Sequence, residues 1–143
     1  MLQWNYSLPI AKLNKYIKSS KISQYERIVG LVNLAASHIW NMDWIRGEQA
    51  IKKIQIEVQK QDNLKAYRLI YGYTFQLSAE MAILQENYME GHHLLEEARK
   101  ILSGSQSRYE FFLKKWQAIC DLLRDPKSQE KIQALRRIKS EAI

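Results

Sequence analysis

Glu86, Glu90, His93 and Glu97 recur at spacings of four, three and four, so one helix could present all four side chains along a single strip. Glu90-x-x-His93 is the spacing by which a helix offers a carboxylate and an imidazole to one metal of a di-iron bundle, which needs a second such pair on another helix. The residue three before His38 is Ala35, so the second pair is missing. The strip also lies off the face formed by Gly91, Leu94, Leu95 and Ala98, and reads as a solvated polar surface. His38 has no second ligand at helical spacing on its face and is expected to be a partly buried, hydrogen-bonded residue. Cys120 is the single cysteine, which excludes an intrachain disulfide and a cysteine-rich zinc site. It falls on an apolar stripe, where a thiol acts as a small hydrophobe rather than a nucleophile. Gly-rich phosphate loops, His-Glu-x-x-His runs and nucleophile elbows do not occur. The sequence therefore specifies no catalytic residue, no metal ligand and no cofactor, and a non-enzymatic role is expected.

The elements that carry these side chains follow from composition and periodicity. A chain of 143 residues suits one domain spanning 1–143 and is long enough to bury a core. Its 46% hydrophobic and 10% aromatic content separates it from disordered segments, which lack the apolar surface to fold. The net charge of +7 is concentrated at the ends. Residues 1–22 carry four lysines and no acid, 107–143 carry nine bases against five acids, and 63–106 have one acid in excess. Such ends can meet an anionic partner, or they can simply keep the protein in solution. No apolar run approaches the ~20 residues of a membrane-spanning helix, and the N-terminus lacks a continuous apolar segment for secretion. No membrane span and a cytoplasmic location are the resulting expectations.

Apolar residues recur with helical period along the whole chain, and the alternation of a half-buried strand is missing, so the fold class is all-α. A short helix over 8–19 has Ile10, Leu13 and Ile17 on one side and Lys12, Lys15 and Lys18 on the other. It is expected to cover the end of the first hairpin. Three antiparallel hairpins follow, at about 23–60, 63–103 and 107–142. Ser23-Gln24-Tyr25-Glu26 is a capping box, repeated in kind at Ser107-Arg108-Tyr109-Glu110. The first helices of the first two hairpins are apolar on two stripes, as expected of helices held between neighbours. Gly104 suits the left-handed position after a helix. Asp125-Pro126 offers a cap and a first-turn proline for the last helix. That helix has only the thin stripe Ile132, Leu135 and Ile138 among Lys131, Arg136, Arg137 and Lys139, a pattern suited to a terminal cap.

Two of the hairpins repeat one another at an offset of 44 residues. Asp43 corresponds to Asn87 as cap, Trp44 to Tyr88, and Gly47 to Gly91, while Ala35 corresponds to Ala79 and Ile39 to Ile83 in the preceding helices. A glycine three residues after the aromatic removes the side chain where a neighbouring helix would cross, so the backbones can approach closely.

Residues 79–102 resemble the turn and second helix of a tetratricopeptide repeat, in which an aromatic, a small residue and then an alanine seven further on mark the packing. Tyr88, Gly91 and Ala98 fill these places. Residues 35–54 are similar, with Ile54 in place of the last alanine, and the third hairpin resembles the family only in layout. The spacing of 38 to 44 residues exceeds the family's usual 34. The resemblance implies a TPR-like α-solenoid or compact helical-repeat domain that serves as an interaction scaffold or regulatory adaptor for a protein or peptide partner. It implies further that partners lie on the concave side, lined by the first helix of each hairpin. In this chain that face holds Tyr73, Gln76 and Glu80 on the middle helix and Arg108, Phe111 and Lys115 on the third, although Tyr73 and Phe111 suit packing between hairpins equally well. A nucleic-acid partner is the alternative, carried by the basic patch Lys131, Arg136, Arg137 and Lys139 with Lys114 and Lys115. Trp116, which could stack on a base, falls instead on an apolar stripe suited to the core.

Overall fold

The computed structural model describes residues 7–104 and 107–141. Among the described residues there are seven α-helices and no strand. They are α1 (Ser7–Ile17), α2 (Gln24–Trp40), α3 (Trp44–Gln59), α4 (Leu64–Leu84), α5 (Tyr88–Leu102), α6 (Ser107–Arg124) and α7 (Gln129–Glu141). Each helix packs on the next in sequence, and short connections force such neighbours to run antiparallel. Beyond sequence neighbours, only α2 with α4 and α4 with α6 approach closely among the described residues. The turns α2–α3, α4–α5 and α6–α7 consequently gather at one end of the molecule.

Local signals open the helices where the sequence places them. Ser23 and Glu26 form the reciprocal capping box, with Glu26 N–H donating to Ser23 Oγ at 3.2 Å and Ser23 N–H to Glu26 Oε2 at 2.7 Å. Asp43, Asn63 and Asn87 each accept a backbone N–H three residues on. The counterpart of the capping box at Ser107 rests on side chains outside the described residues.

The last helix departs from the expected start. Asp125-Pro126 forms a turn closed by Ser128 N–H donating to Asp125 O at 3.2 Å, with proline at its second position, where a fixed φ is favoured. Ser128 then caps α7, its Oγ accepting from Lys131 N–H at 3.4 Å. A serine one residue ahead of the helix can accept where a proline-bound aspartate is already used in the turn.

The two earlier turns share one geometry at the 44-residue offset. Met42 and Glu86 adopt left-handed φ of 59° and 64°. Met42 N–H donates to Ile39 O and Asp43 N–H to His38 O; Glu86 N–H donates to Ile83 O and Asn87 N–H to Ala82 O, all at 2.9–3.0 Å. This paired pattern satisfies the orphan carbonyls at the helix end and delivers the chain directly to the next cap. The close crossings also correspond. A Cβ on Gly47 would lie 3.0 Å from Ile39 Cγ1, and one on Gly91 2.6 Å from Ile83 Cγ1.

The core has two clusters divided by α4. Ile28, Leu31, Ile39, Ile51, Ile54 and Leu77 anchor the first, while Ala79, Ile83, Leu95, Ala98, Leu102, Leu113, Trp116 and Cys120 form the second. Trp44 packs against the first cluster and Tyr88 against the second, at the positions the offset pairs. Ile17 is buried in the first cluster, so α1 covers that end through its apolar side while Lys12, Lys15 and Lys18 stay exposed.

Candidate partner-binding site

The first helices of the three hairpins lie side by side with α4 in the middle, and the side chains expected to line an open concave face meet there at close quarters. Gln76 and Glu80 are 2% and 4% exposed. Gln76 Nε2 donates to Glu80 Oε1 at 3.1 Å, and the Trp116 side chain reaches the same carboxyl from α6. The Trp116 ring in turn packs at 6.2 Å, tilted by 50°, against Trp40 of α2. The α2 and α6 backbones make no close approach, so this indole bridges them beside α4. The expectation that Gln76 and Glu80 are displayed to a partner is thereby corrected. A bulky aromatic reaching across the narrow space between α2 and α6 closes off the polar pair.

Burial sets the electrostatics of this layer. Removal from water pushes the Glu80 carboxyl up to about 7, against the opposing pull of the Gln76 hydrogen bond, the Lys115 charge and the Trp116 hydrogen bond. Gln76 Oε1 is buried without a hydrogen-bond partner.

The other expected partner-facing residues are divided. Tyr73 is half-buried against the first core cluster. Phe111 is half-buried with its ring 5.7 Å from Phe112, and Lys115 is exposed beside Glu80. The side chain of Arg108 lies outside the described residues.

The basic patch is divided as well. Arg136, Arg137 and Lys139 are exposed, whereas Lys131 is half-buried, faces Asp125 at 3.9 Å and lines a groove of about 300 Å³ between α5, α6 and α7.

Trp40 is 45% exposed. Of the nine large apolar side chains exposed among the described residues, Trp40, Met42, Ile45, Leu84, Met89 and Leu123 all lie in or beside the turns at one end. Trp40 and Leu84, like Ile45 and Met89, stand 44 residues apart in the sequence. The helix faces on which the sequence places a partner do not include these residues. A signal was present: Met42, Ile45 and Met89 are apolar yet belong to none of the core stripes.

Elsewhere the groups with catalytic potential are separated. No cluster of three or more His, Cys, Asp or Glu side chains could hold a metal among the described residues. Glu90 and His93 are exposed, and His92 Nδ1 lies 3.0 Å from Gln117 Oε1. Cys120 is fully buried, its Sγ 3.4 Å from Tyr88 O, and burial pushes the thiol up, away from thiolate chemistry. His38 is buried as expected, but its Nδ1 lacks the hydrogen bond expected for it. No helix among the described residues is long and apolar enough to cross a membrane. No family model, curated protein or solved structure matches the chain.

Proposed function

We propose that this chain is a TPR-like helical-repeat module that binds a protein or peptide partner along its turn-end apolar edge. The observation that carries the reading is that Trp40, Met42, Ile45, Leu84 and Met89 are all exposed and lie in or beside turns at one end, and exposed apolar side chains gathered into one patch mark an interaction surface. Trp40 is the anchor. Large aromatic side chains backed by a rigid neighbour dominate binding energy at interfaces, and Trp116 supplies the backing. The repeat character is supported by the matched turns and close crossings at an offset of 44 residues.

The test is capture of partners from lysate on the immobilised chain, with and without nuclease, followed by mass spectrometry. The partner should be a protein that survives nuclease and moderate salt, and Trp40→Ala or Ile45→Asp should release it while Arg136→Glu, Arg137→Glu and Lys139→Glu together should not. Capture of nucleic acid alone, abolished by the triple charge reversal and steeply weakened by salt, would transfer the function to the basic end of the chain.

A further inference from the structure

We propose that Glu80 is a proton-operated latch on Trp40: its neutral acid keeps the buried layer under Trp116 closed, and loss of the proton loosens the Trp116–Trp40 pair. The starting point is an unmet acceptor. Gln76 is 2% exposed and its Oε1 has no hydrogen-bond partner among the described residues, while its Nε2 donates to Glu80 Oε1 at 3.1 Å. A carboxylate only accepts and cannot answer that oxygen, whereas a carboxylic acid carries one O–H and can. An amide and a neutral acid side by side pair twice, amide N–H to acid carbonyl and acid O–H to amide oxygen. The proton thus belongs on Glu80 Oε2, donated to Gln76 Oε1. Turning the Gln76 amide over leaves the same demand, since its oxygen would then meet Glu80 Oε1 and a proton would have to lie between them.

The surroundings give a bare carboxylate little support. Of the charged groups on the helices packed against α4, Lys115 of α6 is the one that acts on Glu80, and Lys115 is itself exposed. On α2, His38 feels Asp43 and Arg46, and Arg27 is taken up by the carbonyls of Ile17 and Ser19. The acids and bases of α3 and α5 are exposed or paired along their own helices. Burial outweighs Gln76, Lys115 and Trp116 and holds the carboxyl at about 7. Once ionised, Glu80 gains by turning towards water and Lys115, and Trp116 is the side chain that closes that way. Trp116 packs on Trp40 at 6.2 Å, and the α2 and α6 backbones make no close approach, so this contact can part without unwinding a helix. Trp40 then loses its backing. The bearing of the latch on binding rests on the proposed function of the Trp40 edge; the latch itself is read in the free protein, so either can fail without the other.

NMR of the full chain from about pH 5 to about pH 9, following the Glu80 carboxyl carbon and the ring signals of Trp40 and Trp116, tests the latch. The carboxyl should titrate with a midpoint of about 7, and both rings should shift with that same midpoint. Glu80→Gln, whose amide pairs with Gln76 as the neutral acid does, should hold both rings at their low-pH positions throughout. His92→Asn should leave the ring shifts unchanged, because His92 meets α6 at Gln117. The latch is overturned if Glu80 is already ionised at about pH 5, or if the Trp40 ring is indifferent to the Glu80 titration. It is equally overturned if the ring shifts persist in Glu80→Gln or vanish in His92→Asn. The first two outcomes are read in the parent chain and need no variant to fold.

Discussion

At the scale of single residues, Glu80 couples the middle of the protein to pH. Its carboxyl titrates at about 7 in the fold against an ordinary value of 4.5, because burial disfavours the charge more than Lys115 and the hydrogen bonds from Gln76 and Trp116 favour it. Between those two values the folded protein keeps a proton that the unfolded chain has released, so this group's contribution to stability falls as pH rises from 4.5 and is fully lost above 7. The span corresponds to about 3 kcal/mol. Glu80→Gln retains the size and an acceptor for the Trp116 indole but cannot ionise. It should therefore melt above the parent at about pH 8, with the gap closing towards about pH 5. Thermal denaturation at both values checks this, and an equal gap at each would show that Glu80 ionises in the fold without cost. His38 acts in the opposite sense, since burial lowers its pKa and its neutral form is the one the fold prefers below 6.5. The sequence placed Gln76 and Glu80 correctly on a second stripe of α4, but a stripe says which way side chains point and not what closes over them. Trp116, thirty-six residues downstream of Glu80, decides their burial.

At the scale of elements, the α4–α5 crossing depends on two glycines that work by being empty. A Cβ on Gly91 would meet Ile83 Cγ1 at 2.6 Å, and one on Gly72 would meet Leu102 Cγ at 2.6 Å. Ile83 is branched at Cβ, the carbon behind the contacting Cγ1, which restricts its χ1 in a helix and keeps that methylene from swinging aside. Gly91→Ala should thus destabilise despite the gain of about 1 kcal/mol in helix propensity, and Gly91→Leu should lose more, by an overpacking cost of roughly 1–3 kcal/mol. Urea denaturation reads both, and an unchanged midpoint for Gly91→Leu would place that residue at the surface. The same crossing is fastened at its far end by Arg68, whose guanidinium donates to the carbonyls of Ile101, at 2.7 Å, and Ser103. Arg68→Ala should cost about 1 kcal/mol and speed amide exchange in the last turn of α5, where those carbonyls lose their donors. Gly91 was legible because an aromatic, a glycine and an alanine recur at fixed spacing. Gly72 was not, since its partner is contributed by the next helix. The left-handed turns at Met42 and Glu86 were equally hidden, because that conformation is usually marked by Gly or Asn.

At the scale of the whole molecule, stability should be graded along the chain because contacts run from neighbour to neighbour. The central helix α4 touches α2, α3, α5 and α6 and separates the two core clusters, so opening it requires both clusters to come apart. The end helices differ. The described side chains of α7 contribute none of the fully buried core, and Ile132 and Ile138 are only half-buried. Helix α1 contributes Ile17 to the first cluster and is fastened by Arg27, which donates to the carbonyls of Ile17 and Ser19. Local opening follows the number and burial of the contacts that must break. Native-state hydrogen exchange should therefore rank α7 as the first helix to open, α1 next, and α4 last, with Thr74 and Leu77 among the most protected amides. The same ranking bears on binding. The apolar edge at the turns rests on α2–α5, the slowly opening part, so Trp40 and Ile45 are presented on a surface that is already ordered and need not be fixed on binding. A partner seated there should slow exchange at the turns and leave α7 unchanged. Protection that instead appears first in α7 would locate the contact on Arg136, Arg137 and Lys139.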